Sequence, residues 1–171
     1  LVNITSDAMP IYSRWLIATV NQSFSTDSTG KLLFQWDGVT DLHVRSVSTS
    51  LIVNKWHFVA LTGDGTTDST KYKLYVDGNE VTYSAQTNGS VLFNPSVQVA
   101  DFGAQLDVTY FSGGIAHSHL YGRVLSQGEI NQLMYYPGSI TSNLRYYYPF
   151  WSITSPELDF SKNGNPGTVS G

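Results

Sequence analysis

The sequence predicts an all-β protein, an antiparallel sandwich of two sheets with one short helix near the C-terminal third, and three observations lead there. Hydrophobic residues make up 41% of the 171 and charged residues only 13%, so an apolar core must be covered largely by Ser, Thr, Asn, Gln and Gly. Short runs of Val, Ile, Tyr, Phe, Trp and Leu alternate with turn residues at the spacing of sandwich strands. Only one stretch carries a helical period.

The expected strands are Tyr12 to Val20, Lys31 to Trp36, Leu42 to Val47, Lys55 to Thr62, Lys71 to Val76, Glu80 to Ser84, Val97 to Phe102, Gly114 to Tyr121 and Leu144 to Phe150. Asp77-Gly78-Asn79 joins two of them, and its residue types tolerate the positive φ of a tight hairpin. In Lys71 to Val76, Tyr72, Leu74 and Val76 share the face expected in the core, opposite Lys71, Lys73 and Tyr75. The helix starts at Ser126-Gln127-Gly128-Glu129, a capping box, with Ile130, Leu133 and Met134 on one stripe, and ends before Pro137-Gly138. The length fits one domain over 1–171, in which the strand at about 144–151 folds back to complete the sheet.

With 9 basic against 13 acidic residues and no Lys/Arg cluster, nucleic acid and anionic membranes are disfavoured partners. No cysteine occurs, which excludes disulfides and thiolate metal sites, and the apolar runs are far too short for membrane insertion by a helix. The chain opens on Leu1 and reads as a processed or partial piece of something longer.

Three blocks carry a resemblance. Lys55-Trp56-His57-Phe58-Val59-Ala60, then Leu74-Tyr75-Val76-Asp77-Gly78, resembles a "W-H-x-V-A … L-Y-V-D-G" strand pair, and Gly114-Ile115 through Leu120 to Ser126 and Glu129-Ile130 resembles a strand followed by a short helix. Both are similar to the laminin G-like modules of the concanavalin A-like lectin superfamily, which implies a jelly-roll sandwich. Ala116 and His117 stand where that pattern has an acidic pair. The third block, Tyr146 to Trp151 followed by Ser155-Pro156-Glu157-Leu158-Asp159 and Asn163 to Thr168, looks like the strand and Gly/Asn-rich loop that open such modules, and a segment similar to Ser155 to Asp159 closes the domain in phage and prophage proteins. That resemblance implies a virion decoration or fibre component.

Glycoside hydrolases of this fold resemble E-x-D-x-x-E at their paired carboxylates, and the nearest match here, Glu157 and Asp159, has Lys162 in place of the second Glu. The sequence therefore reads as no enzyme. His117 and His119 flank Ser118 and would point one way along a strand, but no third ligand is implied nearby and a polar exposed face explains the pair better than a metal. Asp64 and Asp68 are the candidate calcium ligands, in a loop whose spacing is not that of an EF-hand, and no other cofactor is expected. Of the tryptophans Trp15, Trp36, Trp56 and Trp151, Trp56 is expected in the core, while Trp36 with Asp37, and Trp151, are the candidate glycan-binding residues. Asn3, Asn21 and Asn88 lie in N-x-S/T triplets, which a chain rich in Ser and Thr acquires by chance.

Two function classes follow. The favoured one is a non-catalytic, surface-displayed structural module, a virion decoration or fibre component with room for a glycan, whose partners are other subunits of a capsid or surface assembly. The alternative is a secreted or cell-surface carbohydrate-binding or adhesion domain, and a glycoside hydrolase ranks last. Either places the protein outside a cell or on a virion surface.

Overall fold

The structure is a computed structural model that describes residues 9–16, 20–47, 51–52, 54–92, 100–105, 109–151 and 155–168. The chain divides into two units, Leu1–Gly114 and Ile115–Gly171. Strands in antiparallel sheets dominate, with one α-helix among the described residues.

The first unit contains β1 (Met9–Leu16), β2 (Val20–Thr26), β3 (Leu32–Trp36), β4 (Gly38–Thr40), β5 (Leu42–Ser46), β6 (Val59–Thr62), β7 (Lys73–Val76), β8 (Asn79–Glu80), β9 (Tyr83–Thr87), β10 (Ser90–Leu92), β11 (Ala100–Phe102), β12 (Ala104–Gln105) and β13 (Thr109–Tyr110). A six-stranded sheet runs in the order β11-β1-β2-β3-β5-β9, and β6-β7-β8 form a second sheet. Register places Tyr12, Phe24, Phe34 and Val44 in one cross-strand row. That row meets Tyr72 and Leu74, with the Phe34 and Tyr72 rings stacked at 5.2 Å, so the two sheets share a sandwich core. Leu32, Phe34, Leu42, Val44 and Leu74 are fully enclosed.

Turn chemistry fixes the second sheet. Asp77 and Gly78 both adopt positive φ, the conformation a two-residue hairpin needs to match the strand twist; the expected hairpin forms, with Val76 facing Asn79, so Asn79 belongs to the strand and not to the turn. Tyr72 and Leu74 are buried as predicted, but Tyr75 is buried too, so the face expected to be wet is covered at that position.

Trp56 overturns an expectation: it is 61% exposed and lies outside the core. The strand opens at Val59, and Val59 and Leu61 pack on the core. Trp56 and His57 precede the strand: the His57 side chain is turned inward while Trp56 is left in solvent. The His57 imidazole accepts the Ile52 N–H through Nε2 (2.9 Å) and therefore carries its proton on Nδ1, which donates to Asp77 (2.7 Å). β2 is a strand the composition concealed, because Phe24 is the one large apolar side chain between Asn21 and Thr26. The expected strand from Tyr12 to Val20 is instead β1 with Val20 opening β2, and the one expected at Val97 to Phe102 is described as β11 from Ala100 on, its first half lying outside the described residues.

The second unit contains β14 (Ser118–Tyr121), α1 (Gln127–Tyr135) and β15 (Leu144–Tyr148). The Ser126 side chain accepts the Glu129 N–H while Glu129 accepts the Ser126 N–H, so the capping box is formed, and Ile130 and Leu133 are buried. β15 pairs antiparallel with β14, setting His119 opposite Tyr147 and Leu120 opposite Tyr146.

Candidate functional site

The second unit builds a platform at the end of β15. Phe150 adopts φ +55°, unusual for a bulky side chain, and redirects the chain so that Trp151 stands 72% exposed. The turn is held by a carboxylate: the Phe150 N–H donates to Glu157 Oε1 (2.8 Å), and the Glu157 backbone is bonded in both directions to Gly167 (2.9 Å each). Glu157 is buried.

Asp159 performs the same task further back. Its Oδ1 accepts the N–H groups of Tyr147 (3.0 Å) and Ser161 (2.8 Å), and its Oδ2 accepts the Ser161 hydroxyl (2.8 Å) and the Asn165 N–H (3.1 Å). Partial burial opposes ionisation, but these donors together hold the carboxyl below its usual range. Phe160 N–H donates to the Tyr147 carbonyl (2.9 Å), Asn163 Nδ2 to the Leu144 carbonyl (2.7 Å), and the Tyr148 hydroxyl to the Asn165 carbonyl. The segment 157–167 is thus laid along β15.

Aromatic rings converge on Tyr147, which is buried. His119 stacks on it at 4.2 Å and 10°, Phe160 meets it edge-on at 6.1 Å, and its hydroxyl lies 2.9 Å from His117 Nδ1. Trp151 in turn contacts Phe160 at 5.6 Å and His117 at 6.3 Å, both steeply inclined. The exposed indole is therefore braced on two sides by rings, and its apolar surface is offered in a fixed orientation.

The two histidines are not paired ligands on a strand. His117 has φ +55° and precedes β14, with its N–H on the Pro149 carbonyl (3.2 Å). His119 accepts the Gly138 N–H through Nε2 (3.1 Å) and bonds the His117 backbone. Both nitrogens of His119 are thereby spent, and burial pushes its pKa down to about 4.

The remaining candidates lie in the first unit. Trp36 is part-buried, packed on the core and edge-on to Tyr72 at 6.5 Å, so the expectation of an outward-facing ring fails there: it shares the inward face of β3 with Phe34. Asp37 accepts from Gln35 Nε2 (2.9 Å). Asp64 Oδ1 accepts both the N–H and the hydroxyl of Thr66, and Asp68 Oδ1 does the same with Thr70. These are turn-forming and capping carboxylates; no cluster of three His, Cys, Asp or Glu occurs among the described residues, and the pair does not supply the roughly six to eight oxygens calcium takes. Asn88 uses its side-chain oxygen to hold Ser69. Asn3 lies outside the described residues, as does the side chain of Asn21.

Sequence reasoning singled out Trp151 but missed Tyr147, Phe160 and the bracing role of His117. The sequence signal for the clamp is the Ser155-Pro156-Glu157-Leu158-Asp159 segment, whose two carboxylates meet the Phe150 and Tyr147 N–H groups.

The family model described as the concanavalin A-like lectin/glucanases superfamily, of laminin G type, matches residues 5–131. The match runs across the division at Gly114 and ends within α1. A search of curated proteins returns no match.

Proposed function

The chain belongs to the concanavalin A-like lectin/glucanases superfamily, and from that premise we propose that it is a non-catalytic, surface-displayed carbohydrate-binding module that lays a sugar ring on Trp151. The observation that carries this reading is the exposure of Trp151 on a backbone clamped by Glu157. A large aromatic left in solvent at 72% exposure loses hydrophobic stabilisation unless something covers it, and the apolar face of a pyranose has matching chemistry. Covering roughly 100 Å² of ring at about 25 cal/mol per Å² is worth about 2 to 3 kcal/mol.

The absence of catalysis is part of the proposal. Glu157 and Asp159, the nearest approach to a glycosidase pair, both accept backbone N–H groups and serve the loop that carries Trp151. Isothermal titration with neutral oligosaccharides should show binding that Trp151→Ala weakens at least tenfold with the melting temperature held. Retention unaffected by that change, or hydrolysis of a glycan abolished by Glu157→Gln, overturns the reading.

We further propose display as a decoration or fibre component of a virion, supported by the phage-like Ser155 to Asp159 segment and by a patch on the first unit. There Val39 and Val91 lie on the paired strands β4 and β10 at 74% and 68% exposure, apolar surface suited to a neighbouring subunit. Sedimentation that shows a monomer at all concentrations, unchanged by Val39→Ser with Val91→Ser, removes that patch as a subunit contact.

A further inference from the structure

We infer that His117 is the specificity-determining residue of the Trp151 platform, offering a neutral ring N–H donor that selects an uncharged pyranose over a sugar carboxylate, and that Tyr147 is the positioning residue that fixes this tautomer. The inference rests on the carbohydrate-binding reading and goes further by naming the ligand class.

The Tyr147 hydroxyl sets the tautomer of His117. It is enclosed in the second unit, and burial raises its pKa, so it keeps its proton. A buried hydroxyl needs an acceptor for that proton, and His117 Nδ1 lies 2.9 Å away. An imidazole nitrogen that accepts is unprotonated, so the neutral ring carries its hydrogen on Nε2.

His117 is exposed, and its Nε2 has no hydrogen-bond partner among the described residues. His119, two residues on, is spent on Gly138 and on the His117 backbone and cannot compete for a ligand. Placement is equally constrained: the His117 N–H is clipped to Pro149, two residues before Trp151, and the two rings stand 6.3 Å apart at 83°. A sugar lying on the indole would present its rim to the imidazole. A hydroxyl or ring oxygen there accepts from a neutral N–H, whereas a carboxylate would find no cation in this pair of rings.

Two readouts test this. Long-range ¹⁵N–¹H spectroscopy of the protein should show His117 protonated at Nε2 and bare at Nδ1, and Tyr147→Phe, which keeps the ring stack, should shift the tautomer balance while the melting temperature stays within a few degrees. Titration with gluco-, galacto- and manno-configured oligosaccharides and with uronic-acid oligosaccharides should show a preference for neutral sugars. His117→Ala should weaken it about five- to tenfold, the worth of one neutral hydrogen bond, and His117→Gln should restore part of it through its amide N–H. Binding lost in Trp151→Ala but unchanged in His117→Ala overturns this inference and leaves the carbohydrate reading standing. A preference for uronic acids, or an Nδ1-protonated His117, does the same. An unchanged tautomer in Tyr147→Phe removes Tyr147 from its role, and a parent protein that retains no oligosaccharide defeats both the reading and the inference.

Discussion

Acid should unlatch the second unit through His119, and the size of the effect follows from its surroundings. Its Nε2 accepts the Gly138 N–H at 3.1 Å and its ring lies 4.2 Å from that of Tyr147, with Tyr121 stacked at 6.3 Å. Burial, opposed by the bond to the His117 backbone, lowers the pKa from 6.5 to about 4. Protonation would turn Nε2 into a donor facing another donor. Because the folded pKa lies below the unfolded one, the unfolded chain takes up the proton first. The stability tied to neutral His119 is fully present above about pH 6.5 and is lost as pH falls from there to about 4. A shift of this size, at about 1.4 kcal/mol per pH unit, corresponds to about 3 kcal/mol. Urea unfolding followed by tryptophan fluorescence between pH 4 and 7.5 measures it, with His119→Gln supplying a neutral acceptor in the same place. The parent should lose stability across this window and the variant should lose markedly less. Parallel curves for the two proteins would refute the argument.

Three further outcomes follow from the packing. Trp36→Ala should cost about 2 to 3 kcal/mol in urea unfolding because the ring packs on Tyr72 and the core, whereas Trp56→Ala should leave the melting temperature within a degree or two, the reverse of the order composition implies. Asp159→Ala strands the N–H groups of Tyr147, Ser161 and Asn165, and hydrogen exchange at the Tyr147 amide should accelerate by at least tenfold while first-unit amides keep their protection. Truncation after Ser142 removes the partner of β14, so limited proteolysis should cut within 115–142, and an intact protected fragment there would contradict the pairing.

What the sequence made legible was local. The Asp77-Gly78 hairpin and the Ser126 capping box each lie within four residues, and their geometry follows from the φ preferences and side-chain reach of those residues. Trp56 was misplaced because both faces of Trp56-His57-Phe58-Val59 carry apolar rings or branches, and alternation alone does not say which face is inner. The bonds of His57 to Ile52 and Asp77 show it. β2 escaped notice since a strand between two others draws its backbone bonds from them and needs few apolar side chains of its own. The platform joins His117 to Tyr147 across 30 residues and hides its clamp in carboxylates whose role depends on which N–H groups they meet. No spacing rule reports that.

The segment 157–167 has one more consequence, for how the protein behaves in company. β15 has β14 along one side, and on the other the Tyr147 N–H and carbonyl would be free to template a strand from another molecule. Asp159 and Phe160 occupy both groups, and Asn163 occupies the Leu144 carbonyl. A ribbon this rich in tyrosine, with its hydrogen-bonding rim bare, is a seed for end-to-end strand addition. The chain's own C-terminal segment acts as a stopper on that rim, closing it with side-chain and main-chain groups that do not continue the ladder and so leave no second rim behind.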